Sequence, residues 1–311
     1  MSSLSILVLA LIQALALLAL APLFSGISRV LRAKIHSRKG PDIFQDYRDI
    51  FKLFKRQNIS PAASGVFFQM MPYVMVGTML TIATALPVVT VISPLAPIGD
   101  LITVVYLFAV ARFFFAIAGL DTGSTFTGIG ASRESMLGIL VVRFVMLGLW
   151  VTALLAGSTN LGVMSFHVLE WNVNSSLALV LALLACAFAT FIEMGKLPFD
   201  MAEAEQELQE GPLTEYSGSA FAVLKLGISL KQLVVLQLFI GVFVPWGQMT
   251  TFSAGALVLA IIAAIIKLLV GIALIALFEN SVARLRFLKT SYTTWAGFGL
   301  AAAAFLSWLI A

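Results

Sequence analysis

Apolar stretches of about 20 residues recur along this chain, each long enough to cross the hydrocarbon core of a bilayer as a helix. They fall at about 5–28, 67–92, 101–120, 135–157, 176–197, 219–244, 253–278 and 290–310. None shows the ten-residue alternation of a barrel strand, so bonds within helices must satisfy the backbone in lipid. The expected fold class is an all-α integral membrane protein, a bundle of about eight transmembrane helices in which 1–311 form a single polytopic membrane domain. Composition agrees, with 60% hydrophobic and only 11% charged residues at a mean hydropathy of +1.03. Soluble domains carry about 25% charged residues, so most of this surface must face lipid. No lysine or arginine precedes the first apolar run, which is longer than the core of a signal peptide. It is expected to remain as a span.

Lysine and arginine in the connections set the orientation. The first connection carries Arg29, Arg32, Lys34, Arg38, Lys39, Arg48, Lys52, Lys55 and Arg56. Arg133 follows the third span, Lys196 the fifth, and Arg284, Arg286 and Lys289 the seventh. The alternate connections, at about 93–100, 158–175 and 245–252, carry none. Both termini are therefore expected outside, with cytoplasmic loops at about 29–66, 121–134, 197–218 and 279–289.

In the first loop, Ile43, Phe44, Tyr47, Ile50, Phe51 and Phe54 recur at helical spacing. Gln45, Asp46, Arg48, Asp49, Lys52, Lys55 and Arg56 fill the opposite face. This predicts an amphipathic cytoplasmic helix in the membrane interface. Its role is either to lie on anionic lipid or to serve as a docking ledge, with Arg38 and Gly40-Pro41 shaping the turn before it. The second loop, DTGSTFTGIGASRES, is rich in Gly, Ser and Thr and predicts irregular backbone buried in protein or lining a cavity. The third loop is acidic: Asp200, Glu203, Glu205, Glu207, Glu210 and Glu215 fall within sixteen residues. Asp200 and Glu203 have the spacing of a capping box that starts a short helix, and Gly211-Pro212 ends it. The excess of carboxylates on the otherwise basic side points to a subunit interface or a proton-handling patch.

Arg112, Arg143, Glu193, Lys225, Lys231 and Lys267 fall within or at the ends of spans. A charge at the bilayer centre costs at least about 2.5–3.5 kcal/mol. These groups should face protein or water and pair with acids: Glu193, the loop acids including Glu134, and Glu279. Arginine does not release its proton. Glu193, Lys231 and Lys267 are therefore the candidate proton carriers, with Arg112 and Glu134 beside the path. No site for a bound redox cofactor is expected, since the chain has one cysteine, Cys186, and two distant histidines, His36 and His167.

Three segments, RKGP before the amphipathic helix, GSTFTGIGASRE, and EMGKLPFDMAEAEQELQEGPLTEYSG, resemble the H-type membrane family of complex I. The resemblance covers nearly the whole chain, in order. Gly195-Lys196-Leu197, Leu208-Gln209-Glu210-Gly211-Pro212-Leu213 and Ser132-Arg133 are similar to the hydrogenase branch of that family, which includes membrane subunits of formate hydrogenlyases. The resemblance implies a non-redox subunit of a bacterial inner-membrane complex, with no cofactor of its own. The [NiFe] centre and iron–sulfur clusters would sit in partner subunits. Those partners would be a hydrogenase large subunit, an iron–sulfur small subunit, an antiporter-like membrane subunit, and formate dehydrogenase and ferredoxin-like subunits. By position, the resemblance places Arg38, Asp46 and Asp49 around a former quinone cavity. It places Glu203, Glu205, Glu207 and Glu210 towards the hydrogenase subunits, with Asp200 and Glu215 as further candidates for the subunit interface. Glu193 matches the acid before the Pro-Phe-Asp loop. Relatives carry a glutamate in the fourth span near Val142-Arg143, where this chain reads VVRF; a proton channel relying on that acid is not implied. A quinone-tunnel subunit of an NADH-quinone oxidoreductase is the nearest alternative. A free-standing ion transporter would show internal repeats, and the two halves show none.

Overall fold

The computed structural model describes residues 3–170, 177–201, 211–250, 253–283, 285 and 289–310. Among these, the chain forms ten α-helices: α1 (Ser3–Ile35), α2 (Gln45–Phe54), α3 (Val66–Ala85), α4 (Leu101–Asp121), α5 (Thr125–Ala156), α6 (Leu161–Leu169), α7 (Leu177–Glu193), α8 (Gly218–Phe243), α9 (Ala254–Ser281) and α10 (Thr290–Ile310). A short 3-10 turn lies at Gly211–Leu213. Seven helices, α1, α3, α4, α5, α8, α9 and α10, are long and apolar enough to cross a membrane. The apolar α7 has 17 residues, close to the minimum for a crossing. The chain is a multi-pass membrane protein, and the span order read from hydropathy is the order observed.

Burial ranks the helices. In α8, 67% of the most apolar window is buried, against 22% in α9 and in α10. α8 is the hub, packed on α1, α2, α3, α6, α7 and α9. α9 turns Leu259, Ile262, Ile266 and Val270 outward, as expected where the surrounding solvent is lipid. The connections that lack lysine and arginine interlock. Val91 N donates to Met249 O and Met249 N to Val89 O, while Leu161 N donates to Gly99 O. Asp100 and Asn160 cap α4 and α6 by accepting from Ile102 N and Gly162 N.

The structure corrects the sequence reading in three places. First, the Gly/Ser/Thr-rich segment is not irregular backbone, because α5 begins at Thr125 and only 122–124 connect it to α4. Its small residues are packing devices: a Cβ on Gly119 would lie 2.6 Å from the Ala131 Cβ. In lipid, helices gain stability by such close approach of small residues. Polar side chains at the start of α5 find local partners, with Thr127 Oγ1 donating to Ser124 O at 2.9 Å. Second, the connection at 158–175 carries a helix of its own, α6. Third, α2 does not turn all its charges to water. Asp46 is 2% exposed and pairs with Arg29 of α1, and Asp49 lies 3.5 Å from Lys225 of α8. Phe44, Phe51 and Phe54 are exposed along this helix and at its start.

The α1–α2 corner is fixed by two glycines. A Cβ on Gly40 would meet the Ala33 Cβ at 2.9 Å, and one on Gly26 would strike the Ile43 carbonyl. Ser37, in the left-handed region at φ 55°, ends α1. Arg38 is exposed just beyond it. On the same side of the bundle, Asp121 accepts from Gly65 N at 2.9 Å and Phe68 N at 3.1 Å, capping α3.

Candidate functional site: a buried ion cluster beneath the third loop

Four charged side chains from four helices converge inside the bundle. Arg112 comes from the middle of α4, Glu134 from the first third of α5, Glu193 from the last position of α7, and Lys231 from the middle of α8. Arg112 Nη2 lies 2.5 Å from both carboxylate oxygens of Glu193. Lys231 Nζ lies 3.3 Å from Glu193 and 3.5 Å from Glu134. Arg112 Nε is 4.0 Å from Glu134. The side chains are between 11% and 20% exposed. Two cations face two anions, so the set is neutral, which is the condition for keeping charge out of water. Pairwise, each acid touches both bases.

Gly138 makes room for this arrangement. A Cβ there would overlap the Arg112 side chain from Cδ to the guanidinium carbon. Nothing in the sequence singles out Gly138 beyond its being a glycine in an apolar span. Gly138→Ala should cost about 1–3 kcal/mol through overpacking, seen as a lower apparent melting temperature with the helix content unchanged. An unaltered melting temperature would mean that Arg112 relocates freely.

Two cavities meet at the cluster. One, about 60 Å3, is lined by Arg112, Glu134 and Lys231 and, on the loop side, by Gly195, Phe199 and Asp200. That volume can admit water, for which Arg112, Glu134, Lys231 and Asp200 provide polar partners among otherwise apolar walls. The other, about 50 Å3, runs from Glu193 past Val142, Val145, Leu149 and Phe239. Apart from Glu193 and Thr190 its walls are apolar. Val142 stands in this wall.

The third loop approaches the first cavity through α7 and the residues that follow it. Gln232 Nε2 donates to Met194 O at 3.1 Å, holding the end of α7 on α8. At the far end of the loop, Tyr216 stacks on Phe68 with ring centroids 4.0 Å apart and donates to Phe68 O at 2.8 Å. Burial pushes the Tyr216 phenol above its ordinary value, and the Asp121 carboxylate adds to this. Tyr216 therefore stays a neutral donor at physiological pH. Asp200 lines the cavity, and Glu215 is half-buried beside Tyr216. Glu203, Glu205, Glu207 and Glu210, with the expected capping-box helix, lie outside the described residues.

The remaining intramembrane charges separate from this cluster. Lys267 of α9 donates to Val244 O at 2.6 Å, beyond the end of α8, rather than to an acid. Buried Glu279 accepts from Arg32 of α1 at 3.0 Å. Lys225 pairs with Asp49. The Arg143 side chain makes no ion pair or hydrogen bond among the described residues.

The NADH dehydrogenase family pattern matches residues 6–310. Formate hydrogenlyase subunit 4 of Escherichia coli (strain K12) is 68% identical over 97% of this chain and 98% of its own length. Hydrogenase-4 component C of the same organism is 54% identical over 97% and 96% respectively. In fold, a chain of the membrane-bound sulfane sulfur reductase, an archaeal respiratory membrane complex, superimposes with a TM-score of 0.80 at 21% identity, covering 98% of this chain and 99% of that one. Matched along almost its entire length, the chain belongs to the NADH dehydrogenase family, the group that includes the H-type membrane proteins of complex I.

Proposed function

We propose that this chain is the membrane seat of a formate hydrogenlyase-type complex: it anchors a [NiFe] hydrogenase module and carries no redox centre itself. The observation that carries the reading is the cavity that Arg112, Glu134 and Lys231 share with Asp200 at the start of the acidic loop. The near-full-length likeness to formate hydrogenlyase subunit 4 supports the choice of module. The acidic loop, with Asp200, Glu203, Glu205, Glu207, Glu210 and Glu215, faces the hydrogenase large and iron–sulfur small subunits. Arg38 and the exposed aromatic residues of α2 form a second docking ledge. The [NiFe] centre and iron–sulfur clusters belong to those partners. A formate dehydrogenase subunit releases carbon dioxide, one proton and two electrons. Ferredoxin-like subunits pass the electrons on, and the [NiFe] subunit combines them with two protons to form dihydrogen.

Within this scheme the cluster exchanges protons with the loop-side cavity. Glu134, Glu193 and Lys231 are the members proposed to carry protons, and Arg112 is the fixed charge bonded to Glu193. The apolar wall at Val142 ends the polar path on the other side, so this chain moves protons locally at the foot of the module. Any passage across the bilayer runs through an antiporter-like neighbour. The basic connections support loops on the cytoplasmic side and both termini on the periplasmic side of a bacterial inner membrane.

The test is isolation of the tagged chain from its native membranes in mild detergent. Viologen-dye hydrogenase activity should co-elute with it and formate should drive dihydrogen evolution. Inhibitor-sensitive quinone reduction in place of hydrogenase activity would identify a quinone-tunnel subunit instead.

A further inference from the structure

Arg143 is a charge on the wrong surface. It lies on the outward stripe of α5 with Ile129, Ser132, Met136, Ile139 and Trp150, all exposed and spaced three, four or seven residues apart. Such spacing keeps one face of a helix in register with a neighbouring helix. The other faces of α5 are occupied by α4, α7 and α10.

Its depth is fixed by what surrounds it. Glu134 is level with the end of α7, and Arg143 lies nine residues further along α5, or about 13 Å deeper. From Arg143 to the far end at Ala156 is another 13 residues, about 20 Å. Either distance exceeds the reach of an arginine side chain, so the guanidinium stays in the hydrocarbon layer. Lipid headgroups lie out of reach for the same reason. Five donors in a low-dielectric setting require an acceptor, and a carboxylate fits the planar fork in two bonds. A second copy of this chain does not supply one. Among the described residues, the acids of the spanning helices, Asp121, Glu134, Glu193 and Glu279, are all buried or half-buried.

We infer that the outward stripe of α5 docks a spanning helix of a different membrane protein of the complex, one that presents an aspartate or glutamate to Arg143 at mid-bilayer depth. The apolar positions on either side, Met136, Ile139 and Trp150, pack against that helix and keep water from the ion pair. A pair sealed in this way fixes register and partner choice, because slipping by one residue would leave both charges unmatched. The inference holds whatever the soluble module proves to be, because it concerns the lateral face of α5 and not the loops.

The experiment uses the complete complex in its own membranes. A photo-crosslinking amino acid, p-benzoylphenylalanine, replaces Ile139, and the linked peptide is identified by mass spectrometry. The expected product joins α5 to a spanning segment of another subunit, with an Asp or Glu within one turn of the linked site. Arg143→Glu should then reduce co-purification of that subunit at least tenfold, and reversing the partner's acid to arginine should restore it. Should Arg143→Glu fail to insert, Arg143→Gln with the same crosslinker gives the same reading as a severalfold drop in crosslink yield. Crosslinks to lipid alone, to a second copy, or to a helix without an acid would overturn the inference. So would undiminished co-purification of the charge-reversed chain. Dye-linked hydrogenase activity, measured in parallel, reports separately on the seat of the soluble module.

Discussion

Glu193→Gln should lower the apparent melting temperature of the detergent-solubilised complex by about 10 °C. The reasoning is one of charge balance. In the native cluster Glu193 meets Arg112 at 2.5 Å and Lys231 at 3.3 Å. Its neutralisation leaves two cations sharing Glu134 in a site that is at most 20% exposed. Breaking a buried pair by removing one partner costs about 3–5 kcal/mol, and each kcal/mol shifts the melting of a chain this large by about 2–4 °C. Removing a cation as well restores neutrality. Glu193→Gln combined with Lys231→Met leaves Arg112 and Glu134, 4.0 Å apart, and should recover most of the loss. Such non-additivity is the signature of groups acting as one network. A melting temperature within about 2 °C of wild type for the single variant would show a hydrated, weakly coupled site, and the proton role proposed for it would lose its basis.

Reversal of Glu203, Glu205 and Glu207 to lysine should release the hydrogenase module from the membrane. The triple change turns three carboxylates into three ammonium groups, a difference of six charge units on the segment proposed to meet the module. Like-charge contact at an interface suppresses association and is relieved by salt. Dye-linked activity should move from the membrane to the supernatant by at least tenfold. High ionic strength should weaken retention of the wild-type module in the same direction. Full membrane retention of the triple variant would remove the loop from the docking surface. The cluster variants provide the contrast: they change melting and proton handling while the loop carboxylates remain in place.

The two outcomes also differ in how far they rest on the sequence. The acidic loop is visible as a charge run, but a run does not say which carboxylate touches what. The cluster is visible only as isolated charges in apolar segments. Arg112, Glu193 and Lys231 stand out because an ion in lipid demands a partner. Sequence alone assigns Glu134 to an irregular loop, and the structure places it inside a helix, on the face turned to Arg112 and Lys231. That error has a physical origin. Glycine, serine and threonine favour turns in water, but in lipid the same residues allow helices to approach closely. Gly119 against Ala131 is the instance that decides it. Asp46 differs from its expected setting for a related reason. Helical spacing assigns a residue to a face but cannot reveal that α1 comes down on that face with Arg29. Lys267, expected to find an acid, instead reaches a backbone carbonyl exposed by the end of α8. Helix ends leave such carbonyls unpaired, and where an end lies relative to a neighbouring span is a tertiary fact.

From the amino-acid sequence alone came the solvent, the helical class, the order of the spans and the family. The first three follow from local quantities, because hydrophobic length acts segment by segment and lipid leaves the backbone only the helix. Long motifs kept in order carry the fourth. Partnership was decided by the tertiary structure alone. Whether Arg112 meets Glu193, whether Val142 closes a path, and whether Arg143 is left facing outward depend on how helices rotate and tilt against one another. Close packing of small residues far apart in the chain sets those angles, and no single segment contains them.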